Sequence, residues 1–144
     1  MTPPVQAADL LLVTHHSADA ELARRILRPA GWRRIAVARQ GDEALALLQG
    51  PPEVRLAAMP RLVLLDPNLP GLDGFTLLER IRQHPVSRAV PVVVFTSSAD
   101  PRDIARSYRL GANGVMHKPV DFDRYADALG RLTAYWLGAN APPP

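Results

Sequence analysis

Apolar residues along the chain fall into two alternating patterns, and the alternation sets the fold. Residues 9–14 (Asp-Leu-Leu-Leu-Val-Thr) read as a short buried strand. Ser17 then offers a helix N-cap, with Asp19 and Glu21 in the first turn near the positive end of the helix dipole. Leu22, Ile26 and Leu27 share one helical face, and Pro29-Ala30-Gly31 ends that helix. Ile35-Ala36-Val37 is a second strand, and residues 42–49 form a helix stopped by Gly50-Pro51-Pro52. Leu62-Val63-Leu64-Leu65-Asp66 is apolar without interruption until its last residue, as expected of a central strand covered on both faces. A helix over residues 75–83, a strand over 90–96, and a helix starting at Asp100-Pro101 and closed by Gly111 follow. Residues 114–117 make a fifth strand, and Asp121 caps a last helix running to about Leu137.

Five strands alternating with five helices predict an α/β fold, a doubly wound five-stranded parallel sheet with helices on both faces. In such folds the working crevice lies beyond the carboxyl ends of the strands. Thr14-His15-His16, Asp66, Thr96-Ser97 and Lys118-Pro119 stand at those ends.

A chain of 144 residues is expected to be one domain over residues 9–137, with a short tail at 1–8 and an arm at 138–144. Cysteine is absent, which excludes disulfides, thiol chemistry and Cys-based zinc sites. No apolar run nears the roughly 20 residues that span a bilayer, and the N-terminus lacks a signal pattern, so no membrane association and a cytoplasmic address are expected. The net charge of +3 is spread along the chain in short pairs such as Arg24-Arg25, so no nucleic acid partner is expected. Of 17 basic residues only Lys118 is a lysine, which suggests a position where a compact ammonium is required.

A carboxylate, a hydroxyl and an ammonium at one sheet edge can handle a phosphoryl group. The carboxylate attacks phosphorus, and the other two bind the phosphoryl oxygens as charge develops. Pro67 biases the backbone of Asp66 toward extended geometry and helps present its side chain. A phosphatase of the haloacid dehalogenase type is disfavoured, because the position two after the carboxylate is Asn68 and no cap insertion exists. A dinucleotide or flavin carrier is disfavoured by the lack of a Gly-rich loop after the first strand.

Asp66-Pro67-Asn68-Leu69-Pro70-Gly71-Leu72-Asp73-Gly74-Phe75, then Val94-Phe95-Thr96-Ser97-Ser98, then Lys118-Pro119, resembles the receiver domain of bacterial response regulators. The resemblance implies a stand-alone, non-enzymatic response regulator with Asp66 as phosphoacceptor, Thr96 as switching hydroxyl and Lys118 as phosphoryl-binding cation. It also implies a cis peptide at Lys118-Pro119, a sensor histidine kinase as partner, and output by protein contact. The segments around Asp19, Lys118 and Tyr135 are similar to the subgroup serving phytochrome-type kinases, which points to a bacteriophytochrome.

Two departures stand out. Receivers carry an acidic pair after the first strand that helps hold Mg²⁺, and here Thr14 and His15 occupy those places, followed by His16. With only Asp66 and the backbone of Asn68 left, a Mg²⁺ site would be weak or absent. Position 115, where the aromatic partner of the switch belongs, is Val. Asp66 could pair directly with Lys118 and a protonated His15, giving an unphosphorylated adaptor. Alternatively, His15 could replace part of the missing cationic charge and allow phosphoryl transfer.

Phe122, Tyr125, Leu129, Leu132 and Trp136 recur at helical spacing and should face the core. Tyr135, Trp136 and Leu137 in succession exceed what one core can cover, so a homodimer through the last helix and the C-terminal tail is expected.

Overall fold

The computed structural model describes residues 6–144. Its strands are β1 (Leu10–Val13), β2 (Ile35–Ala38), β3 (Leu62–Leu65), β4 (Val92–Thr96) and β5 (Gly114–His117). They alternate with helices α1 (Ser17–Leu27), α2 (Gly41–Gln49), α3 (Gly74–Gln83), α4 (Pro101–Arg109) and α5 (Phe122–Thr133). All strand pairs are parallel, in the order β2-β1-β3-β4-β5.

Side chains alternate across a strand, so each central strand feeds two cores. Leu11, Val13, Val63, Leu65, Val92 and Val94 pack with Ala44, Leu48, Leu77, Leu78 and Ile81 of α2 and α3. Leu10, Leu12, Leu62, Leu64, Val93 and Phe95 pack with Ala20, Leu22, Ala23, Leu27 and Leu129 of α1 and α5. Every residue of β1, β3 and β4 is therefore buried, while the edge strand β5 is only half-buried. Such continuous burial is why their sequences lack an apolar–polar alternation.

Helix starts fix the loops at the carboxyl edge. Asp73, Asp100 and Asp121 each accept a backbone N–H from the first turn of α3, α4 and α5. At α1 the capping position falls on His16, not Ser17, and no side chain caps it. Thr14 Oγ1 instead accepts the His16 N–H at 3.1 Å, which tightens the turn and starts the helix at Ser17.

Three expectations are corrected. The Lys118–Pro119 bond is trans, since no cis peptide occurs among the described residues. Trans is the intrinsically preferred isomer, and the Lys118 N–H bonds the Thr96 carbonyl at 2.7 Å in this conformation. Phe122 is 59% exposed, because it is the first residue after the Asp121 cap and sits over the α1–α5 seam rather than in it. Leu137 is fully buried and cannot serve as an interface residue. After Thr133 the chain widens into a π-helical turn, Ala134–Ala139, and Leu137, eight residues after buried Leu129, lies on the face turned to the core. Arg61 Nη1 donates to the Leu137 carbonyl at 3.1 Å and fastens that turn.

Gly74 couples fold to site. A Cβ there would meet the Pro67 Cα and lie 2.9 Å from the Asp66 carbonyl oxygen. Gly74→Ala is expected to cost about 1–3 kcal/mol by forcing the loop after β3 outward. The urea midpoint reads that loss, and an unchanged midpoint would show that the loop yields freely.

Candidate functional site

Asp66 leaves β3 with its N–H bonded to the Val13 carbonyl at 2.9 Å, which seats it against the end of β1. It is only 3% exposed, so its carboxylate needs compensation. Oδ1 accepts the Asn68 N–H at 2.9 Å, and Oδ2 receives Lys118 Nζ at 2.9 Å. Lys118 arrives from the end of β5, its ammonium 4.3 Å from the centre of the Phe95 ring. Asp66 and Lys118 are thus in direct contact, as in one of the two arrangements the sequence left open, with His15 taking no part.

Thr96 ends β4 and lines the same cavity as Asp66, a space of about 360 Å³ that also meets His16, Asn68, Phe75 and Asp103. Its hydroxyl accepts the Ser98 N–H at 3.0 Å. Val115, where an aromatic switch partner was missing from the sequence, packs into the core beneath α4.

The histidines exchange roles relative to expectation. His16, not His15, faces the carboxylate, with Nε2 3.9 Å from Asp66 Oδ2. The His15 ring lies against that of His16 at 3.9 Å between centres, and its Nδ1 is buried without a hydrogen-bond partner in the structure. Adjacent residues leave a strand in different directions, and the tight Thr14–His16 turn selects which one looks into the cavity.

Asp19, which the sequence placed in the first turn of α1 without a role in the site, is central. Asp19 is 8% exposed, and its Oδ2 accepts Lys118 Nζ at 2.8 Å. The Thr14 hydroxyl approaches the same oxygen at 3.4 Å, and the Tyr125 hydroxyl donates to Oδ1 at 2.6 Å. Lys118 is therefore held between two buried carboxylates, one from β3 and one from α1. A signal was present in the sequence: Asp19 precedes Leu22 and Ala23 by three and four residues, on the face that α1 buries.

Burial, followed by the hydrogen bond to Asp19 and the charges of Asp19 and Asp66, holds the Tyr125 phenol far above its ordinary range. The folded protein thus keeps a proton that the unfolded chain releases above a pH of about 10. The stabilisation is complete below that pH and is lost as pH rises beyond it. Tyr125 should therefore ionise only on unfolding. Absorbance at alkaline pH tests this, and Tyr125→Phe should flatten the alkaline fall in stability. Ionisation of Tyr125 in folded protein would contradict it.

The family model of the response regulator receiver domain matches residues 10–130. The chain belongs to this family. Among its relatives is the probable methanogenesis regulatory protein FilR2 of Methanothrix harundinacea, 36% identical over 135 residues, covering 93% of this chain and 86% of that one. The response regulator Rcp1 of Synechocystis is 33% identical, covering 89% of this chain and 88% of its own. The Mn²⁺-bound form of Rcp1 superposes with a TM-score of 0.87 at 32% identity, over 94% and 98% of the two chains. The phosphorylated cyanobacterial phytochrome response regulator RcpA gives 0.88 at 30% identity, over 96% and 99%. This receiver domain is thus homologous to phytochrome response regulators.

Its donor set does not fit a hard divalent ion well. Both Asp66 oxygens are already engaged, the Thr14 hydroxyl is turned to Asp19, and Asp19 is bound to Lys118 and Tyr125. Among the described residues no three His, Asp or Glu side chains are grouped as metal ligands. Mg²⁺ prefers an open set of carboxylate, carbonyl and water oxygens.

Proposed function

We propose that this receiver domain takes a phosphoryl group on Asp66 from a sensor histidine kinase and signals by protein contact, without enzymatic output of its own. The observation that carries this reading is the 2.9 Å contact between Lys118 Nζ and Asp66 Oδ2, beside the cavity that Asp66 shares with Thr96. An Asp66 oxygen forms the new bond to phosphorus as the bond to the kinase's phosphohistidine nitrogen breaks. Lys118 balances charge on the phosphoryl oxygens, and the Thr96 hydroxyl turns from Ser98 to donate to one of them. Any Mg²⁺ contribution, resting on Asp66 and the backbone of Asn68, is weak. His16, when protonated, faces the same oxygens and supplies further positive charge.

Likeness to RcpA favours a phytochrome-type kinase, including bacteriophytochromes, as the partner. A kinase of this type, autophosphorylated with radiolabelled ATP, should pass label to this protein and not to Asp66→Ala. Label that stays on the kinase would argue against that partner. A homodimer through α5 and the C-terminal arm fits the exposure of Tyr135 (54%), with Trp136 half-buried beside it. Sedimentation of Tyr135→Glu against the parent chain tests that interface. An unchanged mass would remove it.

A further inference from the structure

We propose that Asp19 is a positioning residue for Lys118 and that, with Tyr125, it forms a relay carrying the state of Asp66 to the α1–α5 seam. Four groups make an unbroken chain: Asp66 Oδ2 to Lys118 Nζ at 2.9 Å, Nζ to Asp19 Oδ2 at 2.8 Å, and Asp19 Oδ1 to the Tyr125 hydroxyl at 2.6 Å. Each comes from a different element: the end of β3, the end of β5, α1 and α5. Three of the four are nearly out of solvent, and the fourth, Tyr125, packs against the core beside α1.

The charge balance makes the chain responsive. One ammonium serves two carboxylates, so whatever Asp66 gains, Asp19 loses. A phosphoryl group on Asp66 adds negative charge and draws Lys118 toward its oxygens, away from Asp19. Asp19 is then a buried carboxylate dependent on the Tyr125 and Thr14 hydroxyls, and its contact with α5 must strengthen or rearrange. Thr96 lacks an aromatic partner, since position 115 is Val, so the route through α1 and α5 supplies a readout that β5 cannot. α5 is continuous with the turn bearing Tyr135 and Trp136, which places the output end of the relay on the exposed end of the chain.

The geometry of the relay stands without phosphate, while its use in signalling rests on the phosphoacceptor reading. The experiment separates the two. Protein with isotope-labelled tyrosine is followed by NMR as the parent chain, Asp66→Ala, Asp19→Asn and the double variant. Asp66→Ala leaves Lys118 to Asp19 alone and should shift the Tyr125 ring signals, with those of Tyr108 and Tyr135 unmoved. In the Asp19→Asn background that shift should be lost. Thr96→Ala serves as a second probe, since the hydroxyl it removes bonds Ser98 and no group of the relay, and it should leave Tyr125 in place. Tyr125 signals indifferent to Asp66→Ala, or shifted equally with and without Asp19, would overturn the relay.

Acetyl phosphate treatment of the parent chain adds the second arm. Phosphorylated protein with unmoved Tyr125 signals overturns the relay and leaves the phosphoacceptor reading intact. Coupling between the variants without any phosphate uptake supports the relay and counts against the phosphoacceptor reading.

Discussion

Lys118→Met should destabilise the fold by about 3–5 kcal/mol, the range for removing one partner of a buried ion pair. The side chains of Asp66 and Asp19 are 4% and 10% exposed, and both depend on the same ammonium. Methionine fills the stem's volume but leaves two like charges facing each other in a shielded site. Adding Asp19→Asn should recover part of the loss, because it removes one orphaned carboxylate and most of the repulsion. A merely surface lysine would give a change of well under about 1 kcal/mol and no such rescue. Denaturant midpoints of the single and double variants distinguish the two. The single variant should also lose most of its phosphate uptake, since the main charge balancing the phosphoryl oxygens is then gone.

Arg82→Ala should cost about 3 kcal/mol by a different route, with phosphate uptake retained in the folded fraction. Its guanidinium donates to the carbonyls of Gly111 (2.8 Å), Arg88 (3.0 Å) and Val90 (2.6 Å) and to Asn113 Oδ1 (2.9 Å). Asn113 Oδ1 also accepts the Val92 N–H at 2.8 Å, so one side chain ties the end of α3 to the entries of β4 and β5. Bonds from a charged donor are worth about 1.5–3 kcal/mol each and do not add. Burial lowers the affinity of this guanidinium for its proton, yet it stays charged at neutral pH. Arg82→Lys should restore less than half the loss, because a compact ammonium cannot span four acceptors. Equal midpoints for the lysine and arginine forms would show that charge alone matters there.

Much of this was legible in the sequence. The uninterrupted apolar runs of β1, β3 and β4 announced buried parallel strands, and the strand ends placed Asp66, Thr96 and Lys118 at one edge. Asp100 with Pro101, and Asp121, marked true helix starts. What failed did so where local pattern yields to tertiary geometry. Asp19 read as a dipole residue because helical propensity says nothing about which lysine a helix will meet 99 residues later. The order of His15 and His16 depended on a hydroxyl-to-backbone bond from Thr14. Leu137 was grouped with its neighbours Tyr135 and Trp136 as an interface residue, although it stands eight residues after Leu129 on the stripe that faces the core.

Asp19 also alters the meaning of the missing acidic pair. The site has lost the carboxylates that would follow β1, yet a carboxylate from α1 still stands beside Lys118. It is bound to protein hydrogen-bond donors, so its effect is to hold and orient the ammonium. If the lysine so held is the main partner of the phosphoryl oxygens, phosphoryl transfer should depend on Lys118 more than on Mg²⁺.

The most direct measurement is the intact mass of the protein after incubation with acetyl phosphate, with and without Mg²⁺, beside Asp66→Ala. The parent chain should gain one phosphoryl group, with little dependence on Mg²⁺, and the variant none. Folded protein that gains no mass in any condition, or gains it equally in Asp66→Ala, would contradict it.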